Sequence, residues 1–347
     1  MAISRNCIAF PSPPQLHGGP GSFQVRFEDA LRRRGWIIIY SNQSQIHPID
    51  VIVVIAGTRR LGWLLWHKFR GVPIIQRLDG LLWQDKFGNK GLWRGRVKPY
   101  ILQLLVTFIY RFIADSVVYQ SEFVRQCWNK HLCYRPRTYS VIHNAVDLEE
   151  FVPDPFNSYL HSDYKPKLLC VEGEVQSSDA NIKPLMNVGS RLLAQNLISG
   201  VTVVGDISKD VRVRLENAIP NIDIKGRLTR DETRALYPGS VYLALEINAP
   251  CPNSIIEAMA SGCPVVGFNS GALAELVPSY AGQIVPYDGD PWRVDVPDSY
   301  KLLQGLLAVL RDYSSFSVQA RRVAVERYDL NKMVESYINC IIESFYG

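Results

Sequence analysis

Short apolar runs alternate with amphipathic segments along most of the chain. In the first half the apolar runs are CIAF (7–10), WIIIY (36–40), DVIVVIA (50–56), VPIIQRL (72–78), SVVYQ (116–120) and YSVIH (139–143). Runs this short and this continuously apolar predict strands that are buried on both faces of a parallel sheet. The segment FQVRFEDALRRRGW, after the first run, has the apolar spacing of a helix. The pattern therefore predicts a doubly wound α/β domain.

A second series of the same kind follows a polar, proline-marked stretch at 152–167. Its predicted strands are LLCVEG (168–173), VTVVGD (201–206), NIDIKG (221–226), VYLALE (241–246) and PVVGF (264–268). We therefore predict two Rossmann-like domains, 1–160 and 161–325, with a cleft between them and a helix over 326–347 that returns to the first domain. Folds of this class bind ligands beyond the carboxyl ends of their parallel strands.

Charge is unevenly distributed along the chain. Residues 59–137 hold 15 Lys and Arg against 4 Asp and Glu, whereas the whole chain has a net charge of only +5. This excess predicts a basic face suited to anionic lipid, nucleic acid or a phosphorylated substrate. Within it, 86–113 mixes basic residues with Trp93, Tyr100 and an apolar run. We interpret this run as a core helix with a basic rim that can contact an anionic membrane. Nucleic acid is not an expected partner, because no nucleic-acid motif accompanies it.

Cysteine spacing and the termini bear on the compartment. The seven cysteines form no CxxC pair and no Cys/His ligand spacing. The N-terminal MAISRNCIAF lacks the apolar core of a signal peptide, and the apolar run at 100–113 is too short for a membrane span. These features predict a cytoplasmic protein. Asp288-Gly289-Asp290 is typical of a solvated turn, and we predict no metal and no cofactor.

The stretch APCPNSIIEAMASGCPVV, at 249–266, carries the strongest chemical signal. It predicts a loop, a short helix that ends at Gly262, and a buried strand. A helix N-terminus attracts anions, because its first backbone N–H groups are unpaired. Asn253 or Ser254 can cap this helix. The spacing from Ser254 to Glu257 also fits a capping box, in which Glu257 has no further role, and spacing alone favours that interpretation.

A family resemblance adds to these observations. HGGPGSF (17–23), IHNAVDLEEFVP (142–153) and PNSIIEAMASGCPVV (252–266) with NSGALAELV (269–277) together resemble the GT-B glycosyltransferases. The closest similarity is to the retaining family typified by sucrose-phosphate synthases and mannosyltransferases, in a subgroup with a Cys-Pro-Asn variant of the donor motif. It implies transfer of a hexosyl unit from a nucleotide-diphosphate sugar to a glycan, lipid-linked or other acceptor. It also implies retention of configuration, without a bound metal.

The resemblance also implies roles for individual residues. Glu257 is expected on the donor ribose, and the residues expected to bind the donor are Gly18, Gly19, Lys183, Gly226, Arg227, Asn253, Ser254 and Glu257. Asp79, where the family often has His-Gly, is the predicted catalytic residue, since a carboxylate there can orient a sugar hydroxyl or accept the acceptor's proton. The alternatives are a simple turn for the glycine loop and a turn cap for Asp79.

The chain departs from the family pattern at two positions. Ala249 stands eight residues before Glu257, where the family commonly has a first Glu, and Glu246 lies three residues too early. Glu174 stands where an Arg is expected, and Lys183 comes late in that loop. These departures keep a second class open, a non-catalytic binding or scaffold protein on a degenerate GT-B fold. A sugar-nucleotide epimerase is a further alternative, and a glycan phosphorylase is disfavoured by length.

Overall fold

The computed structural model describes most of the chain as two compact units. The units are Met1–Asn144 with Leu330–Gly347, and Ala145–Asp329, whereas the sequence predicted boundaries after 160 and 325. The described residues are 6–15, 18–43, 47–80, 98–132, 136, 138–154, 163–175 and 178–346. They form twelve strands and twelve α-helices. In these ranges, none of the helices combines the length and apolarity needed to cross a membrane.

The first unit is built on a six-stranded parallel sheet. Its elements are β1 (Cys7–Phe10), α1 (Gly19–Arg33), β2 (Ile37–Tyr40), β3 (Val51–Ile55), α2 (Leu61–Phe69), β4 (Ile74–Leu78), α3 (Lys98–Phe108), a π-helical turn (Ile109–Ile113), β5 (Ser116–Tyr119), α4 (Glu122–Leu132) and β6 (Tyr139–Val141). The strand order is β2-β1-β3-β4-β5-β6. Strands β1, β3, β4 and β5 are almost entirely buried, as their continuous apolar sequences require.

The second unit also has a six-stranded parallel sheet. Its elements are β7 (Lys167–Glu174), α5 (Asp179–Ala194), β8 (Gly200–Asp206), α6 (Lys209–Ala218), β9 (Asp223–Gly226), α7 (Arg230–Arg234), β10 (Ser240–Ala244), α8 (Asn253–Ala260), β11 (Val265–Phe268), α9 (Leu273–Leu276), β12 (Gly282–Val285), α10 (Ser299–Arg311) and α11 (Tyr313–Arg327). The strand order is β12-β11-β10-β7-β8-β9. The direction of winding reverses between β7 and β10. This is the topological switch point, where doubly wound sheets bind ligands. Two doubly wound sheets confirm the predicted fold class.

The last helix, α12 (Leu330–Tyr346), packs within the first unit. The ring of Tyr337 lies 4.8 Å from that of Phe27 and 5.6 Å from that of Phe23, both on α1. Arg34, at the end of α1, donates a hydrogen bond to Asn331 at 2.7 Å. A buried aromatic cluster therefore joins α12 to α1.

Close packing between β7 and β8 of the second unit predicts the effect of one glycine substitution. Gly205 of β8 has a φ of +137°, and an added Cβ would lie 2.2 Å from the carbonyl oxygen of Glu172. We expect Gly205→Ala to lower the free energy of unfolding by about 2–4 kcal/mol, because backbone strain and a backbone clash combine. Urea unfolding followed by circular dichroism measures this.

Gly200→Ala in the same strand is the matched control. An added Cβ at Gly200 meets nothing within 4 Å. This variant is therefore expected to change stability by less than about 1 kcal/mol. Equal effects at the two positions would contradict the clash at Glu172.

Candidate functional site

Two carboxyl groups meet at the switch point of the second unit. The Glu172 side chain, near the end of β7, lies close to the backbone N–H groups of Leu245 and Glu246, just after β10. Burial, together with the adjacent Glu246 carboxyl, raises the pKa of Glu172 well above its usual range. Burial raises the pKa of Glu246 to about 7. The pair therefore retains a proton near neutral pH, and this part of the sheet edge carries less negative charge than two carboxylates would.

Helix α8 begins beside this pair. Tyr242 of β10 donates a hydrogen bond to the carbonyl of Val171 on β7 at 2.8 Å, and its hydroxyl also lies 2.8 Å from that of Ser254. The second residue of α8 is thus attached to the ends of both strands at the switch point. The unpaired N–H groups of the first turn of α8 consequently lie at the ligand-binding edge of the sheet.

The capping-box interpretation of Glu257 is wrong. The helix has Pro252 at its N-cap, and no side chain caps it. Glu257 instead accepts a hydrogen bond from the hydroxyl of Tyr237 at 3.2 Å. Burial and then the nearby Glu257 raise the pKa of Tyr237 well above its usual range, so this hydroxyl stays a donor. Glu257 is therefore a partly buried acceptor one turn into the helix, held there by the Tyr237 hydroxyl.

Asn253, the first residue of α8, has an unsatisfied polar atom. Its side-chain oxygen Oδ1 is buried and has no hydrogen-bond partner among the residues that the structure describes. Leaving a buried acceptor unpaired costs roughly 1–3 kcal/mol. A ligand that donates a hydrogen bond to this oxygen would recover that cost. Asn253, Ser254 and Glu257 are the three predicted donor-binding residues that the fold brings together.

The cations predicted to bind the donor are already in ion pairs. Lys183 of α5 lies 2.9 Å from Asp179, which also pairs with Arg214 at 2.7 Å. The hydrogen bonds from Lys183 and then Arg214 lower the pKa of Asp179. Arg227 pairs with Asp206. All these side chains are substantially exposed, so the pairs are open to exchange with water or a ligand.

Gly226 and Arg227 lie apart from α8. Gly226 ends β9, at the edge of the sheet, and has a φ of +69°. Three strand spacings separate β9 from β10 in the strand order, which is about 14 Å. These two residues and the start of α8 therefore occupy different parts of the same sheet edge.

The two departures from the family pattern have clear structural positions. Ala249 is 2% exposed, and its carbonyl accepts a hydrogen bond from the backbone of Ala272 at 2.9 Å. Glu174 is exposed and lies opposite Asp206 in the register of β7 and β8. The position of the expected first Glu thus holds a buried methyl group, and the position of the expected Arg adds a second negative side chain.

The glycine loop of the first unit has local structural reasons for its composition. Gly18 is the N-cap of α1 with a φ of +91°, and Gly19 is its exposed first residue. An added Cβ at Gly21 would lie 2.1 Å from the carbonyl oxygen of Gln15. His17 lies outside the described residues. The described part of the loop places the start of α1 at the carboxyl end of β1.

Asp79, the predicted catalytic residue, follows β4 and belongs to a buried polar cluster. Arg77, 1% exposed, forms an ion pair with Asp79 and donates hydrogen bonds to Gln120 at 2.9 Å and Asn144 at 2.8 Å. Gln120 also donates to Oδ1 of Asp79 at 3.2 Å. The Asp79 side chain is 20% exposed. Its carboxylate is therefore held in one orientation while part of it reaches the surface.

Two aromatic residues complete this cluster. The guanidinium carbon of Arg77 lies 4.0 Å from the centroid of the Phe23 ring. The indole N–H of Trp128 donates to the backbone carbonyl of Asp79 at 2.9 Å. Asp79 is thus fixed through both its side chain and its backbone. It has the geometry of an oriented acceptor for a hydroxyl group.

Sequence reasoning missed three residues around α8 and the switch point. Tyr237 is hydrogen-bonded to Glu257, Tyr242 is hydrogen-bonded to Ser254, and Glu172 lies at the switch point beside Glu246. The sequence assigned no role to any of the three. A weak signal existed for Glu172 and Glu246, since each is a charged residue at the end of an otherwise apolar strand. The two tyrosines gave no signal, because aromatic residues in buried strands are ordinary core residues.

Comparisons with known proteins agree with this architecture. A family model described as Glycosyl transferases group 1 matches residues 165–312. Among curated protein sequences, none matches the chain. A sucrose-phosphate synthase from Thermosynechococcus elongatus has a similar structure, with a TM-score of 0.73 at 15% identity, covering 99% of this chain and 100% of that one.

Two further solved structures are similar over nearly their whole length. A glycosyltransferase from Rickettsia africae ESF-5 has a TM-score of 0.69 at 16% identity, with 99% of each chain covered. Anabaena Alr3699/HepE, solved in complex with UDP and glucose, has a TM-score of 0.69 at 15% identity, with 98% of this chain and 100% of that one covered. These similarities establish the GT-B fold.

Proposed function

We propose that the protein is a glycosyltransferase that moves a hexosyl unit from a nucleotide-diphosphate sugar to an acceptor, with retention of configuration. The observation that carries this proposal is the start of α8, where Ser254 is hydrogen-bonded to Tyr242 and the buried Asn253 oxygen has no partner among the described residues. The group 1 family match, which covers this segment, supports it. So does the GT-B fold, since the similar HepE was solved with UDP and glucose.

In this proposal the donor binds along α8. Glu257 accepts hydrogen bonds from the ribose hydroxyls, Asn253 accepts one from the donor, and the first N–H groups of the helix bind the diphosphate. The bond between the anomeric carbon and the diphosphate oxygen breaks, and one between that carbon and the acceptor oxygen forms. The acceptor's hydroxyl proton passes to the departing diphosphate. Helix N–H groups stabilise the charge that develops there, and the reaction needs no metal.

The acceptor is assigned to the first unit in the same proposal. Asp79, oriented by Arg77 and Gln120, accepts a hydrogen bond from a hydroxyl of the sugar or acceptor. Gly18 and Gly19 at the start of α1 border this region of the sheet edge. We propose a glycan or lipid-linked acceptor and a cytoplasmic enzyme whose basic region, 59–137, contacts an anionic membrane surface.

Calorimetric titration with UDP, GDP, ADP and dTDP tests the donor site. We expect one nucleotide to bind the wild-type chain saturably. Glu257→Ala and Glu257→Gln are both expected to weaken that binding by about tenfold to a hundredfold, because a hydrogen bond to a charged acceptor contributes roughly 1.5–3 kcal/mol. Both variants should stay folded, because no side chain caps α8, and in Glu257→Gln the amide oxygen still accepts from the Tyr237 hydroxyl.

Glu232→Gln is the matched control for this titration. Glu232 is an exposed carboxylate in a capping box at the start of α7, in the same unit. Its replacement should leave nucleotide affinity unchanged. If Glu257→Gln binds as tightly as the wild type, Glu257 is not a ribose ligand.

A second candidate is a non-catalytic binding protein on the same fold. The buried Ala249 and the ion-paired Lys183 and Arg227 favour it, because they leave the diphosphate without a dedicated cation. Donor turnover separates the two candidates. A glycosyltransferase consumes the sugar nucleotide when an acceptor is added, whereas a binding protein never consumes it.

A further inference from the structure

The apolar helix predicted to lie in the core of the first unit is buried on only one side. Ile109, Tyr110 and Ile113 in its π-helical turn are buried. Four large apolar side chains on another side are exposed: Ile101 by 50%, Leu104 by 68%, Phe108 by 40% and Phe112 by 62%. All four line one open groove of about 390 Å³, together with Leu105 and Thr107. We call these four residues the α3 face.

The spacing of the α3 face makes it continuous. Its members follow one another at intervals of three or four residues, which places them along one side of a helix. The rings of Phe108 and Phe112 lie 5.3 Å apart. Leaving four such side chains in water is unfavourable by roughly 1.5–3 kcal/mol for each that could be fully buried. The α3 face is therefore suited to burial against another surface.

Basic groups lie next to exposed aromatic rings in this part of the unit. The guanidinium of Arg111 lies 5.8 Å from the Phe112 ring, and that of Arg70 lies 4.3 Å from the Trp66 ring. Helix α2, which carries Trp66, is attached to the π-helical turn, since Lys68 donates a hydrogen bond to the carbonyl of Ile113 at 2.7 Å. Phe69, beside Lys68, is 88% exposed. Apolar and aromatic side chains flanked by Lys and Arg are typical of helices in the headgroup region of a bilayer.

We propose that the α3 face lies in the surface of an anionic lipid bilayer. Its apolar side chains reach the boundary of the acyl chains, and Arg111 lies among the phosphate headgroups. The charge distribution supports an anionic surface, because residues 59–137 carry an excess of eleven positive charges over negative ones. Each Lys or Arg near such a surface contributes about 1 kcal/mol to binding.

A lipid surface fits the α3 face better than a second copy of the chain does. A twofold dimer would place the same basic region of each copy against the other, and like charges repel. Nucleic acid would match the charge but would leave the Leu104 and Ile101 side chains exposed. An anionic bilayer satisfies both the charge and the apolar groups. The inference deepens the membrane contact of the proposed function, on which it rests, by assigning that contact to the α3 face, and it does not depend on sugar transfer.

Co-sedimentation of the full chain with vesicles tests the proposal. We expect binding to phosphatidylcholine vesicles that contain phosphatidylglycerol, weaker binding to phosphatidylcholine alone, and a loss of binding as salt is raised. The double variant Leu104→Ser/Phe112→Ser should bind at least about tenfold more weakly, because two side chains no longer leave water. Arg111→Gln should weaken binding about fivefold.

The matched control is Val213→Ser/Val318→Ser, which changes two apolar side chains of the second unit that are 54% and 55% exposed. It should bind vesicles as the wild type does. Absence of wild-type binding to anionic vesicles, or an equal loss in the control, would overturn the proposal. A second contrary result would be a dimer: light scattering would show a wild-type dimer that the Leu104→Ser/Phe112→Ser variant dissociates, and neither protein would bind vesicles. Nucleotide titration of the same variants shows whether the donor site is intact.

Discussion

Replacing Arg77 by methionine is expected to lower the free energy of unfolding of the first unit by about 3 kcal/mol or more. Arg77 is 1% exposed and contacts Asp79, Gln120 and Asn144. Methionine fills much of the same volume but removes every donor. Asp79 is left with an uncompensated charge, and two buried amide oxygens lose a partner. Urea unfolding followed by tryptophan fluorescence measures the effect, since the buried Trp128 donates to the backbone of Asp79.

Two comparisons isolate the cause of that loss. Arg322→Met removes an exposed pair with Glu326, whose side chains are 65% and 49% exposed, and it should cost less than about 1 kcal/mol. The double variant Arg77→Met/Asp79→Asn should recover part of the stability, because it removes the uncompensated charge. If the loss of unfolding free energy in the double variant equals the sum of the losses in Arg77→Met and Asp79→Asn, the uncompensated charge on Asp79 does not cause the destabilisation.

The Arg77–Asp79 pair shows what one sequence can reveal about a site. Arg77 lies in β4 and Asp79 comes directly after its last residue, so the alternation of an extended chain predicts that the two side chains lie on the same face. The sequence located Asp79 at the carboxyl end of β4, but its interpretation as a catalytic residue left Arg77 without a role. Gln120 and Asn144 come from other elements, so their contacts depend on strand order, which the sequence did not supply.

The start of α8 shows why the cap interpretation failed. The loop, the helix and the stop at Gly262 were all predicted from local residues. The helix, however, begins at Asn253 rather than after it, with Pro252 as the N-cap. Ser254 is therefore already inside the helix, where its hydroxyl meets Tyr242 from β10. A shift of two residues in the N-cap, from Ser254 to Pro252, replaced a local cap with a contact between distant parts of the chain.

Strand prediction succeeded where burial on both faces produces a continuous apolar run. It missed β12, a four-residue edge strand with the sequence GQIV that pairs only with β11. A strand with one neighbour needs fewer apolar residues, and its sequence is harder to distinguish from a loop. The adjacency of β7 and β10, which creates the switch point and brings Glu172 to Glu246, arises from a crossover that local patterns do not encode.

That adjacency leads to a pH dependence of stability. The Glu246 carboxyl has an ordinary pKa of 4.5 and a pKa of about 7 in the folded chain, because it is buried, and the pKa of Glu172 is raised as well. Between these values the folded state binds a proton that the unfolded chain has released. Stability therefore falls as the pH rises from about 5 to 8, by an amount of order 3 kcal/mol for Glu246 alone.

Glu246→Gln should remove most of this slope and make the chain more stable than the wild type at pH 8, since an amide needs no proton to remain neutral. The quantity to compare is the difference in the free energy of unfolding between the wild type and Glu246→Gln at each pH. His67 opposes the trend, because burial lowers its pKa below 6.5 and its contribution rises with pH in that range. Glu174→Gln, at the exposed end of β7, the strand that carries Glu172, provides the control and should retain the wild-type slope. Parallel stability curves for wild type and Glu246→Gln would mean that the two carboxyls do not share a proton at the switch point.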